Sequence, residues 1–359
     1  VGAGLKRVRV LVVDDSALMR RVIWGLLEQD PGILVVGSAV DGLDAVEKVR
    51  ELNPDVVTLD VEMPRLDGLQ TLGYLMSEHP VACVMLSAYT PRGADTTLRA
   101  LDYGAVDFVQ KPSGALSLDM ERVRDELLAK VKVASAIDLK RLPFRPGLPP
   151  LSGLLAAPPA RAAKAVRGAD HGGIVAIGTS TGGPRALSVV IPGLPKDLAA
   201  PVVVVQHMSA GFTRSLAGRL DRESSVRVKE AEAGETLEAG VVYLAPGDWH
   251  LSVEGPAGRA RACLDQKPPL LGVRPCVDVL FQSVADVYGS SAVGVVLTGM
   301  GRDGVKGLRA MKARHAKVIA QDEDSCVVYG MPRAAVQSGC VDRIVPLDKV
   351  ASAVVEMLP

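Results

Sequence analysis

Apolar residues fall in short runs rich in Val, Leu and Ile, separated by stretches in which they recur every three or four positions. The runs read as strands buried on both faces, the stretches between them as amphipathic helices. In the first half the pattern predicts strands at Val8–Val13, Ile33–Ala39, Val56–Leu59, Ala82–Leu86 and Ala105–Val109. Helices are predicted over Ser16–Gln29, Gly42–Leu52, Gly68–Glu78 and Arg92–Tyr103, with a further amphipathic piece at Asp119–Val133. The second half alternates too. Strands are predicted at Ile174–Ile177, Val202–Gln206, Val241–Ala245, Ala292–Leu297 and Lys317–Ala320, and helices over Pro184–Val190, Gly211–Asp221, Cys276–Val287 and Gly304–Ala313. A more β-rich middle is expected near 225–275. Strict alternation implies a parallel sheet with helices on both faces, so the expected fold is two doubly wound α/β domains.

The boundary between them is compositional. Between Pro143 and Pro159 there are six prolines among Gly, Ala, Ser and Leu. Proline removes backbone donors and fixes φ, so the stretch sustains neither a helix nor a central strand. It reads as a semi-stiff linker, because structureless loops of that length are uncommon inside compact domains. The expected organisation is a first domain over 6–130, a linker over 131–170 and a second domain over 171–359. The length of 359 residues fits that division.

Composition narrows the function classes. Acids and bases cancel at 41 each, which lacks the electrostatic footprint of a general nucleic-acid binder. Four Phe, six Tyr and two Trp are too few to build stacking platforms for single strands. The five cysteines, at 83, 263, 276, 326 and 340, contain no C-x-x-C pair and suggest buried thiols in a reducing compartment. No apolar run reaches the roughly 18 residues of a membrane span, and the first residues lead directly into a strand without a secretory pattern. A cytoplasmic protein without membrane insertion is expected, with no tethering motif at Met357-Leu358-Pro359.

In open parallel sheets, sites form beyond the carboxyl ends of the strands. In the first half those ends carry Asp14 and Asp15, Asp60, Ser87 and Lys111. Any one Asp there is an ordinary turn former or helix cap. The set is more informative. Three converging carboxylates repel unless a cation lies among them, and hard oxygens with room for water suit Mg²⁺. A carboxylate beside such a cation can attack phosphorus and become an aspartyl phosphate, with Lys111 and the Ser87 hydroxyl placed for the phosphoryl oxygens.

These residues, with Leu59-Asp60-Val61-Glu62-Met63-Pro64, Asp67-Gly68, Ser87-Ala88 and Asp107-Phe108-Val109-Gln110-Lys111-Pro112, make residues 6–130 resemble a response-regulator receiver domain, which has a flavodoxin-like fold. The resemblance implies that Asp60 accepts phosphate from a histidine kinase, with Asp14, Asp15 and Asp60 around Mg²⁺. It also implies a cis Lys111–Pro112 peptide and a switch in which Phe108 reorients together with Ser87, beside Lys111.

In the second half, Gly178-Thr179-Ser180-Thr181-Gly182-Gly183-Pro184 follows a strand and precedes a helix. Glycines permit a sharp turn, and the helix N-terminus offers free N–H groups. Ser180 there reads as a nucleophile, a phosphate-loop residue or a plain cap. Of five histidines, His207 alone follows a buried strand, although a lone histidine is more often structural. Asp303 lies in the turn Leu297–Gly304. Ser180, His207 and Asp303 thus end three strands of one domain and match a nucleophile, a base and an orienting acid. The same turn contains Gly299-x-Gly301-x-x-Gly304 with Asp322 about 20 residues on, which is a dinucleotide fingerprint and keeps an NAD-binding reading open. A reading without chemistry, a phosphorylation-controlled adaptor, also stands at this level.

The Gly178–Pro184 loop, Val205-Gln206-His207-Met208, Ala245-Pro246-Gly247, Trp249-His250, Leu297–Gly304, Gln321-Asp322 and Tyr329-Gly330-Met331-Pro332 resemble the catalytic domain of chemotaxis protein-glutamate methylesterases, a Rossmann-like α/β domain, over about 172–357. A receiver ahead of this domain matches that family's order. Thr179 stands where the family often has Ala, a departure with no expected consequence. The resemblance implies a hydrolase in a two-component chemotaxis pathway, with Ser180 as nucleophile, His207 as base and Asp303 as orienting acid. Backbone N–H groups at Thr181 and Met300 are expected to hold the oxyanion. The substrates implied are glutamyl γ-methyl esters and glutamines of methyl-accepting chemoreceptors, the phosphodonor is a chemotaxis histidine kinase, and ester hydrolysis needs no cofactor. It also implies that the unphosphorylated receiver covers the catalytic cleft.

Overall fold

The computed structural model describes residues 7–88, 90–111, 120–139, 142 and 172–359. Pro112, His171 and the proline-rich stretch from 143 to 159 lie outside them, and with them the expected cis Lys111–Pro112 peptide and most of the expected linker. The chain divides into two compact units, residues 1–151 and 152–359.

The first unit alternates β1 (Val8–Val13), α1 (Ala17–Leu27), β2 (Ile33–Ala39), α2 (Gly42–Leu52), β3 (Val56–Asp60), α3 (Gly68–Glu78), β4 (Ala82–Ser87), α4 (Pro91–Asp102), β5 (Asp107–Gln110) and α5 (Met120–Ser135). All neighbouring strands pair in parallel, in the order β2-β1-β3-β4-β5. That is the flavodoxin-like order, in which the chain reverses direction across the sheet beside β1 and leaves a crevice at the carboxyl ends of β1 and β3. The helices start where side chains satisfy their first N–H groups. Ser16 accepts from Met19 N, Asp41 from Leu43 N and Asp44 N, Asp67 and Gln70 form a capping box, and Thr90 caps α4 with Pro91 next. β5 begins at Asp107 rather than Ala105, because the Ala105 N–H is used by the Ala100 carbonyl at the end of α4. Val131 and Ala134 are buried on α5, so helical backbone continues beyond residue 130.

The second unit contains β6 (Ile174–Thr179), α6 (Gly183–Val190), β7 (Val202–Gln206), α7 (Phe212–Glu223), β8 (Arg227–Glu230), β9 (Val241–Leu244), β10 (His250–Glu254), β11 (Arg261–Asp265), α8 (Val277–Tyr288), β12 (Ala292–Val296), α9 (Val305–Ala313), β13 (Lys317–Gln321), α10 (Met331–Gln337), β14 (Arg343–Val345) and α11 (Val350–Met357). Seven strands form a parallel sheet in the order β14-β13-β12-β6-β7-β9-β8. β10 and β11 form a separate antiparallel hairpin. The central strands β6, β7 and β12 are buried along their whole length. From β6 the chain first builds β7, β8 and β9 on one side, then returns to place β12 on the other. The switch point of the sheet therefore lies at β6, with the ends of β7 and β12 beside it. α8 packs over this sheet, with Val277, Leu280, Phe281 and Val284 in the same core as Val203, Val205, Ala292 and Val296.

Candidate active site

At the β6 switch point three loops meet. Ser180 is the first residue beyond β6 and is half-buried. His207 is the first beyond β7. Asp303 lies in the turn that joins β12 to α9. The His207 Nε2 and the Asp303 Oδ2 are 2.8 Å apart, both groups nearly buried. The carboxylate is enclosed by donors. Asp303 Oδ1 accepts from Cys276 Sγ at 3.1 Å, Asp278 N at 3.0 Å and Gly304 N at 2.8 Å, and Oδ2 also accepts from Val277 N at 2.7 Å. The anion thus sits on the N-terminus of α8, where free N–H groups and the helix dipole favour negative charge. Burial alone would raise its pKa, but the bond and charge of His207 and the Val277 and Asp278 N–H groups outweigh burial and hold Asp303 below the usual carboxylate range. Burial pushes the Cys276 thiol up to about 12, with the Asp303 charge adding to it, so the thiol stays protonated and donates.

Asp303 occupies Nε2, which leaves Nδ1 of His207 as the nitrogen available to a serine. Among the described residues the Ser180 hydroxyl forms no hydrogen bond. Its backbone is fixed nonetheless. Ser180 N donates to the Thr298 carbonyl at 3.1 Å, and the Ser180 carbonyl accepts from Gly183 N at 2.8 Å. His207 N donates to the Thr179 carbonyl at 3.1 Å, which sets His207 beside Ser180 across two paired strands. The glycines of the loop are demanded by close approach. Gly182 has φ +78°, and a Cβ on Gly183 would lie 1.9 Å from Gln206 Oε1.

Several residues that the sequence pattern did not single out hold this geometry. Thr298 joins three loops: its hydroxyl donates to the Thr181 carbonyl at 3.0 Å and accepts from Val328 N at 2.9 Å, and its N–H donates to Gln321 Oε1 at 2.8 Å. The Thr179 hydroxyl donates to the Thr298 carbonyl at 2.9 Å, a buried bond that alanine would lack, so the departure at this position has a structural consequence. Gln206 and Cys276 complete the set. The one signal in the sequence was polarity at the end of an apolar run, as in Val202–Gln206.

Thr181 is buried, and Met300 is 38% exposed. Gly299, which precedes Met300, packs on Ser180: a Cβ there would lie 2.8 Å from Ser180 Cβ and 2.5 Å from Met331 Sδ. That packing removes the physical basis of the dinucleotide reading. The first glycine of the fingerprint is filled by Ser180 and Met331, Gly304 lies against Val277, and the Asp322 carboxylate is taken by Ser325. Two of the other histidines have partners of their own: His79 accepts from Arg50, and the buried His250 contacts the Pro268 carbonyl.

In the first unit the strand-end residues also converge. One carboxylate oxygen from each of Asp14, Asp15 and Asp60 lies within 4.8 Å of the others. Lys111 Nζ is 2.7 Å from both Asp14 Oδ2 and Asp60 Oδ1. Burial pushes the Asp60 carboxyl up to about 6; Lys111 lowers it, and the Asp14 charge adds to burial. Burial disfavours the Lys111 ammonium, yet Asp60 and Asp14 together hold its pKa above the usual lysine value. One ammonium facing three carboxylates leaves net negative charge on hard oxygen donors, a set that fits Mg²⁺. Ser87 is buried with its hydroxyl on the Ala88 carbonyl at 3.2 Å, and Lys111 N donates to the Ser87 carbonyl at 2.9 Å. Phe108 is buried, and its carbonyl accepts from Lys130 at 2.6 Å. A Cβ on Gly68 would lie 2.0 Å from the Asp60 carbonyl oxygen, so the loop after β3 approaches Asp60 this closely only with glycine there. Among the described residues no helix is long and apolar enough to cross a membrane.

Comparison with known proteins is consistent with both units. Residues 175–354 match the CheB methylesterase family, and residues 10–121 match the response regulator receiver domain family. The protein-glutamate methylesterase/protein-glutamine glutaminase of Geobacillus kaustophilus is 50% identical over 359 residues, covering 99% of each chain. Its counterpart in Pyrococcus horikoshii is 45% identical over 98% of this chain and 94% of its own. The crystal structure of the Thermotoga maritima CheB methylesterase catalytic domain is 47% identical, with a TM-score of 0.51, covering 52% of this chain and 98% of that domain.

Proposed function

The chain belongs to the CheB methylesterase family, with a receiver domain ahead of the catalytic domain, and from that premise we propose that it is a phosphorylation-activated hydrolase of chemoreceptor glutamyl γ-methyl esters acting through Ser180, His207 and Asp303. The observation that carries the reading is the His207–Asp303 contact, made at the strand end next to Ser180, with the carboxylate held by the α8 N-terminus. Ser180 Oγ attacks the ester carbonyl while His207 Nδ1 takes its proton; catalytic hydrogen bonds of this kind commonly tighten only in the complex. Asp303 keeps the other imidazole proton on Nε2 and stabilises the imidazolium. The oxyanion is held by backbone N–H groups at Thr181 and Met300. The imidazolium then protonates the departing methoxide to methanol. Water, deprotonated by His207, cleaves the acyl-enzyme to glutamate and free Ser180. With a glutamine substrate, ammonia leaves in place of methanol, and the same steps give deamidation.

In the receiver, Asp60 takes the phosphoryl group from a chemotaxis histidine kinase, and that modification raises hydrolase activity. Asp14, Asp15 and Asp60 would hold Mg²⁺, which when bound neutralises charge on the phosphoryl oxygens. Lys111 pairs with those oxygens, and Ser87 and Phe108 respond to the modification. The protein works in the cytoplasm, on receptors that reach it from the membrane, without inserting itself. Methanol release from methylated receptor membranes, with and without acetyl phosphate, tests the reading. Ser180→Ala abolishes release while receiver phosphorylation persists. Release by that variant at the wild-type rate would refute the nucleophile assignment, and failure of a serine-directed phosphonate to label the protein would favour a binding adaptor without chemistry.

A further inference from the structure

We propose that Gln206 is a positioning residue that fixes the separation of the nucleophile and the base; the inference rests on the assignment of Ser180 and His207 above. β6 and β7 pair as far as Thr179 and Gln206. The backbone bond from His207 N to the Thr179 carbonyl is the last between them. Beyond it the chains part, Ser180 turning toward α6 and His207 toward α7. The Gln206 side chain continues the pairing one step further than the backbone does. Its Nε2 donates to the Ser180 carbonyl at 2.9 Å and to the His207 carbonyl at 3.0 Å. Both protons of one amide therefore go to the two residues that must exchange a proton.

The chemistry fixes this orientation, since turning the amide over would set Oε1 against two carbonyl oxygens. Oε1 lies instead against Gly183 and has no hydrogen-bond partner among the described residues. Leaving a buried acceptor unpaired is unfavourable. The fold nonetheless keeps an amide, 2% exposed, where an apolar side chain would pack without that penalty. The two donor bonds are what the amide supplies. They also divide the work with Thr298. Thr298 ties the Ser180 loop to β12, and Gln206 ties it to β7. Loss of Gln206 leaves the His207–Asp303 contact and the Thr298 bonds in place, and frees only the distance between Ser180 and His207.

The test uses the full chain with Gln206→Met, which removes both donors at similar length, and Gln206→Glu, which keeps the shape. Each is reacted with a serine-directed fluorophosphonate and assayed for methanol release from methylated receptor membranes. Both variants label Ser180 to the wild-type stoichiometry, but the labelling rate constant and kcat fall about 10- to 100-fold with KM unchanged, since a displacement near 1 Å costs on the order of 100-fold. Rates within about twofold of wild type in both variants overturn the proposal. So does reduced stoichiometry with an unchanged rate constant per labelled site, which is the signature of a purely structural role. Wild-type protein that fails to label at Ser180 overturns the assignment beneath it; wild-type labelling with unaffected variants overturns the Gln206 role alone.

Discussion

Replacing Asp303 by Asn keeps the shape of the orienting group and changes only its protons. Five donors converge on this carboxylate, three on Oδ1 and two on Oδ2, including His207. Asn offers one acceptor. Facing its oxygen toward Cys276, Asp278 and Gly304 satisfies three donors and turns the NH₂ toward Val277 N and His207 Nε2. The Val277 N–H is then buried without a partner, which costs about 1–3 kcal/mol. His207 must accept at Nε2, so its proton moves to Nδ1, the atom required as the base. The opposite orientation leaves three donors unpaired and is worse. A wrong tautomer of this kind costs on the order of 10⁴ in kcat, or about 5 kcal/mol of barrier. Stability carries a second signature. Asp303 titrates below its ordinary value of 3.8 in the folded state, so its contribution is present above the unfolded value and is lost as pH falls through the folded one. Wild type therefore loses melting temperature below about pH 4 through this group, and Asp303→Asn lacks that part of the loss. Methanol release from methylated receptors, with thermal unfolding from about pH 7 to about pH 3, reads both effects. A variant retaining activity within about tenfold of wild type would refute the tautomer argument.

Asp60→Asn, or chelation of Mg²⁺ from the wild type, leaves basal ester hydrolysis intact and abolishes its stimulation by acetyl phosphate; full stimulation of the variant would break the link between the two units. Gly183→Ala drives a Cβ to 1.9 Å from Gln206 Oε1, so the loop or the amide must shift. The expected cost is about 1–3 kcal/mol in unfolding free energy with a clear loss of kcat, and a variant with wild-type melting and turnover would show that the close approach is not needed.

The strands that carry the sites were legible because they are buried on both faces. Continuous Val-rich runs such as Val8–Val13 and Val202–Gln206 coincide with β1 and β7, and the helix bounds at Gly42–Leu52 and Gly68–Glu78 coincide with α2 and α3. The less visible elements lie where burial is partial or residues are small. β8 reads Arg-Val-Lys-Glu at the sheet edge, the β10–β11 hairpin stands outside the parallel sheet, and β14 has three residues. The Ser, His and Asp positions could be read from strand ends, yet their supports could not. Thr179 meets Thr298 across 119 residues, and the Asp303 carboxylate meets the start of α8 from 25 to 27 residues away. Such contacts depend on sheet order, which periodicity does not encode.

Both units place a carboxylate at the carboxyl edge of a parallel sheet, Asp60 as the last residue of β3 and Asp303 in the turn after β12, and give the two opposite electrostatics. Asp303 has five donors and the positive end of a helix, and its pKa falls despite burial. Asp60 has one ammonium shared with Asp14 and a long contact from Glu62 N at 3.4 Å, and burial raises it to about 6. The difference suits the roles proposed for the two groups. A group that orients an imidazole in every turnover has to remain one species, and a saturated shell of donors holds it so. A group that must gain and lose a phosphoryl group has to be left short of partners, because a fully satisfied carboxylate is a poor nucleophile and would gain little from added cationic charge. On the proposed reading, the shortage at Asp60 leaves its carboxylate open to a cation and a phosphodonor. The surplus at Asp303, on the same reading, makes it a fixed orienting group, so control of the hydrolase acts elsewhere than on its protonation.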